Sequence, residues 1–366
     1  MVNIAFSGKD GGWMAQEMTS RERIKRMFEH READRIPILE EPWDSTVERW
    51  EKEGVEDWPV YMGLDQYRQI GTDNSPRYPY KVVEETDNYI IHTTEWGVTL
   101  KNWKHATSTP QFLDFSIRDL EKWHEAKKRM TFDMSRIDWD ELKTQYPVWQ
   151  KEGAWIVANL WFGFDVTHSW MIGTEDFLMM MIDDPDWCKD IYETQLNLHL
   201  QILDKIWEAG YHFDQIYWPD DMGYKHAQFF SLDTYREMSK PFHKKAVDWA
   251  HERGCKAMLH SCGDVRPFVP DFIEIGIDGL NPLEVKAGMD PYMLKEKYGD
   301  KLLFWGGLNS LEWADPQRVE AEVERLVPVM KQQGGFIFGT DHSVPDNVSA
   351  AEFKRIMERV RELGKY

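Results

Sequence analysis

The feature that most constrains the fold is a repeated order along the chain: an apolar strand-like run, a polar tail, and a helical pattern. Strand-like runs occupy residues 36–40, 155–161, 213–218, 256–260, 279–283, 302–305 and 336–339. In the carboxy-terminal half they start roughly 20 to 45 residues apart, which leaves room for one helix between each pair. Strands that alternate with helices pair in parallel through right-handed crossovers. The order predicts an α/β fold, a single (β/α)8 TIM barrel with an elaborated amino-terminal half; an open doubly wound sheet is the alternative.

Helix-start signals support the helical segments of this pattern. A Ser, Thr or Asp at the N-cap accepts a hydrogen bond from a backbone N–H of the first turn, and a proline suits the first helical position. Such starts occur at Thr19 with Glu22, at Asp315 with Pro316, and at Ser349 with Glu352.

No internal repeat, low-complexity run or flexible linker divides the chain, so residues 1–366 are predicted to form one domain. Residues 1–20 are interpreted as an amino-terminal extension. Residues 44–150 are rich in Trp, Tyr and charged side chains and are interpreted as the insertion-rich part of the barrel, with a hairpin at 89–100.

The composition excludes several classes of function. With 64 acidic and 44 basic side chains the formal net charge is −20, which argues against nucleic acid as a partner. Three cysteines cannot build a disulfide framework and suit a reducing compartment. No stretch reaches the about 18 apolar residues of a membrane span, and the first residues lack the pattern of a signal peptide. The sequence therefore predicts a cytoplasmic protein without a membrane partner.

In a barrel of this class the active site lies at the rim formed by the carboxyl ends of the strands. The residues that follow the predicted strands are therefore the candidate site residues. The candidates for acid–base or metal-tuning roles are Asp220, Asp221 and Glu284. The candidates for substrate binding are Glu40, Trp161, Phe162, His168, Trp218, Trp305 and Asn309.

The strongest single motif is HSCG, which places His260 and Cys262 at the end of the run 256–260. In an extended backbone residues i and i+2 face the same side, so the imidazole and the thiol converge, a pair that suits Zn²⁺. His342 ends the last predicted strand and returns beside the first strands when the barrel closes. Three such ligands with one open position are typical of a catalytic zinc. A structural His–Cys pair without metal is the alternative, and Glu284 is a candidate fourth ligand.

At these motifs the chain resembles the uroporphyrinogen decarboxylase superfamily. The resemblance is carried by residues 21–38 (RERIKRMFEHREADRIPI), 230–241 (FSLDTYREMSKP), 259–265 (LHSCGDV), 298–307 (YGDKLLFWGG) and 334–347 (GGFIFGTDHSVPDN). It implies one (β/α)8 barrel. The superfamily contains true decarboxylases and zinc methyltransferases that work with corrinoid proteins.

The decarboxylase branch is disfavoured, because its members hold the propionates of a tetrapyrrole with arginines after the first strand. This chain has Glu40 and Glu41 there, and two carboxylates would repel a polycarboxylate. The methyltransferase branch has an H-x-C motif and a distant cysteine, where this chain has His342. An imidazole in place of a thiolate makes zinc more electrophilic, which favours polarising a substrate heteroatom over activating a thiol.

The resemblance therefore predicts a zinc-dependent methyltransferase that demethylates a small methylated substrate and passes the methyl group to cobalamin on a separate corrinoid protein. An aryl methyl ether, held between Trp161, Phe162, Trp218 and Trp305, is the expected donor, and a methylated ammonium held by the same rings is an open alternative. The rival functions are methylation of a coenzyme M-like thiol, a corrinoid-independent lyase or decarboxylase acting on a small acid, and a non-catalytic barrel with a structural metal.

Overall fold

The computed structural model describes residues 17–105 and 108–366. Most of the expected amino-terminal extension, residues 1–16, lies outside this range. The helices are α1 Ser20–Phe28, α2 Asp44–Lys52, α3 Trp58–Met62, α4 Leu120–Arg129, α5 Trp139–Glu152, α6 Phe164–Thr167, α7 Thr174–Asp183, α8 Pro185–Glu208, α9 Leu232–Met238, α10 Lys240–Glu252, α11 Val269–Ile275, α12 Pro291–Tyr298, α13 Pro316–Met330 and α14 Ala350–Leu363. The strands are β1 Tyr67–Ile70, β2 Lys81–Glu85, β3 Tyr89–Thr93, β4 Val98–Trp103, β5 Gln111–Phe115, β6 Trp155–Asn159, β7 Gln215–Pro219, β8 Gly223–Tyr224, β9 Ala227–Gln228, β10 Lys256–His260, β11 Gly279–Asn281, β12 Leu303–Trp305 and β13 Phe336–Ile337.

Seven parallel strands form the curled central sheet, in the order β1-β6-β7-β10-β11-β12-β13. The segment 36–39 occupies the eighth place, because Ile38 forms a parallel bridge to Phe338 just beyond β13. On the other side of this segment, the backbone N–H of Asp65 donates to the carbonyl of Ile38 at 3.0 Å, two residues before β1. This arrangement confirms the predicted α/β barrel class.

Two details of the strand prediction differ from the structure. The run 36–40 was expected to be a strand, yet it pairs only through single bridges. Strand β1 was not predicted at all, because its sequence, YRQI, mixes polar and apolar residues and lies within the segment interpreted as insertion-rich. That segment does contain an antiparallel sheet in the order β2-β3-β4-β5, and β3 with β4 is the predicted hairpin.

Alternation along the strands separates two cores. Side chains that face the barrel interior, including Val157, Met258 and Leu303, pack in one buried cluster. Their neighbours in sequence, including Ala257 and Phe304, pack in a second cluster against the surrounding helices. A shift of one residue along a strand therefore moves a side chain from the interior to the helix layer.

Helix α1 seals the amino-terminal end of the barrel. Its buried residues Ile24, Met27 and Phe28 belong to the interior cluster, and the ring of Phe28 stacks on Trp155 with centroids 5.5 Å apart. The predicted start of this helix is confirmed, because Thr19 Oγ1 accepts a hydrogen bond from Glu22 N at 3.2 Å. The predicted caps at Asp315 and Ser349 are confirmed in the same way. Among the described helices, none combines the length and apolar character that crossing a bilayer requires.

A buried carboxylate, Asp65, ties the first barrel segment to the rest of the structure. Its side chain is fully buried and pairs with the guanidinium groups of Arg23 and Arg35. It also accepts hydrogen bonds from the hydroxyl of Ser20 at 3.0 Å and from the backbone N–H of Ile38 at 2.9 Å. One carboxylate thereby joins α1, the segment 36–39 and the loop before β1.

Candidate functional site

A cavity of about 130 Å³ lies at the carboxyl ends of the barrel strands. His260 and Cys262 reach it from the end of β10, and Trp305 reaches it from the end of β12. Glu40 follows the first barrel segment and His342 follows β13, so both line the same cavity. The barrel thus brings together residues that are about 300 positions apart in the chain.

The HSCG turn is held in place by a second loop. Gly263 has a φ of +79°, and a Cβ there would lie 2.1 Å from the carbonyl carbon of Gly223. This close approach, which only glycine permits, brings the loop after β7 against the turn. Asp221 in that loop accepts a hydrogen bond from the backbone N–H of Cys262 at 2.7 Å.

Contacts at Nδ1 orient the imidazole of His260. Its Nδ1 lies 2.7 Å from Asn281 Oδ1 and 2.8 Å from the hydroxyl of Tyr217. An amide oxygen accepts hydrogen bonds only, so Nδ1 carries the proton and Nε2 presents its lone pair. Nε2 lies 3.4 Å from Cys262 Sγ and 3.7 Å from Asp221 Oδ1. This is the arrangement in which a histidine binds a metal while its other nitrogen donates to a carbonyl oxygen.

Two groups of potential metal donors share Cys262. One contains Asp221, His260 and Cys262, and the other contains Cys262, Glu284 and His342; within each group the donor atoms lie within 4.8 Å of one another. These five residues are called the Cys262 cluster below. The predicted set of two histidines and Cys262 is therefore spread over both groups, and each group is completed by a carboxylate, Asp221 or Glu284, that the sequence had offered for a metal-tuning or ligand role.

The donors of this cluster carry little compensating positive charge. Burial, together with the carboxylates of Asp221 and Glu284, raises the pKa of the Cys262 thiol well above its usual range. The nearest lysine nitrogen to Glu284, on Lys286, is 4.0 Å away. The buried Nδ1 of His342 has no hydrogen-bond partner among the described residues. Thiolate, imidazole and carboxylate are the donor types of zinc sites, so the cluster fits a divalent transition metal.

The predicted pair Asp220 and Asp221 divides into two roles. Asp220 is fully buried, accepts a hydrogen bond from His243 Nε2 at 2.8 Å, and does not line the cavity. It also accepts from the backbone N–H of Asp165 at 2.8 Å, so it holds the start of α6 in place. Asp165 itself was missed by the sequence analysis; burial and the charges of Asp221 and Asp220 raise its pKa well above the usual range.

Glu40 closes the barrel and also faces the cavity. Its carboxyl group accepts hydrogen bonds from the backbone N–H and the hydroxyl of Thr340, at 3.0 Å for the closest contacts. Burial raises the pKa of Glu40 to about 8, although the bonds from Thr340 oppose this shift. The group can therefore hold a proton at neutral pH. Thr340 follows β13 in the motif that contains His342, and a sequence has no signal for this contact.

The expected aromatic sandwich is not formed. Phe162 and Trp218 are fully buried, and they stack on each other in the helix-facing core with centroids 5.9 Å apart. On β7 the interior position belongs to Tyr217 instead, one residue earlier. Trp161 lines a different cavity, so Trp305 is the one predicted aromatic residue that lines the cavity beside the Cys262 cluster.

Two further candidates lie away from this cavity. His168 is buried with its ring 4.4 Å from that of Phe164, and burial lowers its pKa to about 4. Its Nδ1 contacts the hydroxyl of Thr174 at 2.9 Å. Asn309 caps a short 3-10 helix by accepting a hydrogen bond from Leu311 N at 3.1 Å. Both contacts stabilise loops of the rim and do not place these side chains on the cavity wall.

A buried histidine below the rim is expected to make the stability of the protein sensitive to acid. His199 bonds the backbone N–H of Trp161 through Nδ1 and the hydroxyl of Thr72 through Nε2, and burial lowers its pKa from 6.5 to about 3. Between these two pH values the unfolded chain binds a proton that the folded chain does not. We therefore expect this histidine to reduce the free energy of unfolding by about 1.4 kcal/mol for each pH unit below 6.5.

Urea titrations between pH 7.5 and 4.5 measure this slope. The variant His199→Gln, which keeps one acceptor and one donor, should show a shallower loss of stability towards acid than the parent. His226→Gln, at an exposed position, controls for the substitution itself. An unchanged slope in His199→Gln would contradict the expectation.

Comparisons with known proteins agree with this architecture. Residues 166–363, more than half of the chain, match the family model described as uroporphyrinogen decarboxylase (URO-D). No curated protein matches the chain. Among solved structures, a methyltransferase from Methanosarcina mazei aligns with a TM-score of 0.65 and 16% identity, covering 94% of this chain and 99% of that chain.

Two structures of an endo-β-N-acetylglucosaminidase from Cordyceps militaris align much more weakly. Their TM-scores are 0.35 and 0.32 at 8% and 9% identity, covering 61% of this chain and 75% of those chains. Such scores carry no information about this protein. The methyltransferase alignment establishes a shared fold at low identity, and the family model covers the HSCG turn, Glu284 and the segment that contains His342. The chain therefore belongs to the uroporphyrinogen decarboxylase family.

Proposed function

We propose that this protein is a metal-dependent methyltransferase that removes a methyl group from a small substrate and delivers it to a corrinoid carried by a separate protein. The observation that carries the proposal is the Cys262 cluster beside a cavity at the carboxyl rim of the barrel. The fold shared with the Methanosarcina mazei methyltransferase supports it. Among the described residues that line this cavity there is no lysine or arginine, so the wall offers no cationic partner to a polyanionic porphyrin substrate.

The metal would be held through Cys262, which both donor groups contain, together with either His260 and Asp221 or His342 and Glu284. Asp221 and Glu284 would adjust its charge. A zinc ion bound there would polarise an ether oxygen that carries the methyl group, whereas a quaternary ammonium nitrogen has no lone pair for the metal and would leave as a neutral amine without that polarisation.

The protein's own residues bind the donor and control its proton. The cavity of about 130 Å³ has the volume of roughly four water molecules, so it suits a donor of few heavy atoms or the methylated end of a longer one. In the proposed transfer the bond between methyl carbon and heteroatom would break with the electron pair left on the heteroatom, and the reduced corrinoid of the separate protein, as methyl acceptor, would supply the pair for the new bond. Glu40, with a pKa of about 8, can supply the proton that a basic leaving group takes up.

The test combines metal content with single-turnover transfer. Protein purified without added metal is analysed by mass spectrometry and then mixed with free reduced cobalamin and either a methylated ammonium or an aryl methyl ether. We expect about one zinc per chain and donor-dependent formation of methylated cobalamin. Chelator-treated protein should be inactive and should recover when zinc is returned. A parent that binds no metal after reconstitution would reject the proposal and favour acid–base chemistry at Glu40.

A further inference from the structure

A second cavity, of about 460 Å³, lies at the same end of the barrel. Three indole rings line it: Trp161 after β6, Trp170 in the turn of π-helix that follows α6, and Trp96 in the tight turn between β3 and β4. It is called the tryptophan cavity here. Trp96 belongs to the helix-facing core, and Trp161 and Trp170 pack against it, so each indole contributes to the fold while also lining this space; none of the three lines the cavity beside the Cys262 cluster.

The tryptophan cavity has rigid walls. The backbone of Trp161 is fixed on both sides, because its N–H donates to His199 Nδ1 at 3.1 Å and its carbonyl accepts from Asn74 Nδ2 at 2.6 Å. The rings of Trp161 and Trp170 meet edge to face, with an interplanar angle of 89° and centroids 6.5 Å apart. Trp170 in turn meets the ring of Phe112 at 88°.

The third wall is positioned by a glycine turn. Gly97, next to Trp96, has a φ of +91°, and a Cβ there would lie 2.8 Å from the ring of Tyr78. The turn therefore packs tightly, and the side chain of Trp96 is only 8% exposed. An indole that is both buried and preorganised loses little conformational entropy when a ligand binds.

The lining of the tryptophan cavity carries two carboxylates, of which one is compensated by arginines outside the lining. Its lining includes the carboxylates of Asp73 and Glu95, and among the described residues that line it there is no lysine or arginine. Asp73 is paired with Arg77, so its charge is compensated. Glu95 is exposed and forms no ion pair within residues 17–105 and 108–366, so its charge is available to a ligand.

We infer that the tryptophan cavity binds a methylated ammonium group. Indole faces attract cations through their π electrons, and several such faces around one space form the cage that recognises quaternary ammonium ions. An indole offers a hydrogen-bond donor and no acceptor, so these walls cannot replace the water around a primary ammonium. Methylation removes that need, and Glu95 supplies the opposing charge. A neutral aryl ether gains nothing from this charge.

The identification of this ligand as the methyl donor rests on the proposed function, whereas the binding claim does not. Both cavities open at the carboxyl ends of the strands, so a donor held in the tryptophan cavity lies on the same rim as the Cys262 cluster. The sequence left aryl ethers and methylated ammonium ions open as donors. The tryptophan cavity favours the second class.

The binding test uses choline and its neutral isostere 3,3-dimethylbutan-1-ol, which differ in one charged atom. Calorimetric titration of the full chain should give saturable choline binding that is at least about tenfold tighter than binding of the isostere. Trp170→Leu should weaken choline binding by roughly fivefold to thirtyfold, the range for loss of one cation–π contact. Glu95→Gln, at an exposed position, should weaken it by a few-fold without affecting the fold. Trp103→Leu, at a half-exposed tryptophan on β4, is the matched control.

The outcomes separate the two proposals. Equal affinity for choline and the isostere, or unchanged choline affinity in both Trp170→Leu and Glu95→Gln, would overturn the cage. Metal content and methyl transfer are measured on the same preparations. Choline binding in a protein that holds no metal and transfers no methyl group would support the binding site and would reject the ligand as a methyl donor. Methyl transfer from aryl ethers without choline binding would support the proposed methyltransferase function and reject the ammonium-binding site.

Discussion

Replacing Cys262 by alanine is expected to remove the bound metal and to reduce methyl transfer by about a thousandfold, the effect of losing several kcal/mol of transition-state stabilisation. The reason is geometric. Cys262 belongs to both donor groups, with Asp221 and His260 on one side and Glu284 and His342 on the other. Loss of any other member leaves one complete group, whereas loss of the thiol breaks both.

The measurement is zinc per chain together with single-turnover transfer. Cys188→Ala is the matched control, because Cys188 is a fully buried cysteine in α8 with no place in the cluster. His260→Ala and His342→Ala should each lose part of the affinity for zinc, and their ranking identifies the dominant donor group. One full equivalent of tightly bound zinc in Cys262→Ala would show that the thiol is not a ligand.

Replacing Asp65 by alanine is expected to lower the free energy of unfolding by about 3 to 5 kcal/mol, the cost of removing one partner of a buried ion pair. The carboxylate is fully buried and joins Arg23 to Arg35, and both guanidinium groups have side-chain exposures below 10%. Its removal also leaves the backbone N–H of Ile38 without its acceptor. The segment 36–39, which closes the barrel, should therefore loosen first.

Urea unfolding followed by tryptophan fluorescence and circular dichroism measures this loss. Glu320→Ala is the control, because Glu320 pairs with Arg355 at 2.7 Å between α13 and α14 with both side chains exposed. Exposed pairs contribute about 1 kcal/mol or less, so this variant should stay close to the parent. If the two variants lost equal stability, Asp65 would not be the clamp that the structure indicates.

The barrel could be predicted from the sequence because its signals are local. Each apolar run and each helix cap lies within a few residues, and the spacing between runs is a property of the chain alone. Strand β1 was not predicted because its four residues carry no such run. The segment 36–40 was predicted as a full strand because it is apolar, but in the structure it pairs only through bridges.

The site could be predicted only in part, because its remaining features depend on register. Trp218 and Tyr217 are adjacent and both aromatic, and nothing local tells which one faces the barrel interior; the register places Tyr217 there, beside His260. The same holds for Asp220 and Asp221, of which only the second reaches Cys262. His260 and Cys262 were found because a spacing of two residues on one strand requires no knowledge of its neighbours.

The seal formed by α1 has a kinetic consequence. With Ile24, Met27 and Phe28 packed beneath the barrel, traffic to the interior passes through the carboxyl rim. In the proposed reaction the methyl donor and the corrinoid protein must therefore reach the site through the same opening at the carboxyl rim. The small molecule has to enter first, and the demethylated product leaves only after the larger partner has departed. Turnover then follows a compulsory order, and an excess of corrinoid protein should inhibit the reaction by blocking donor entry.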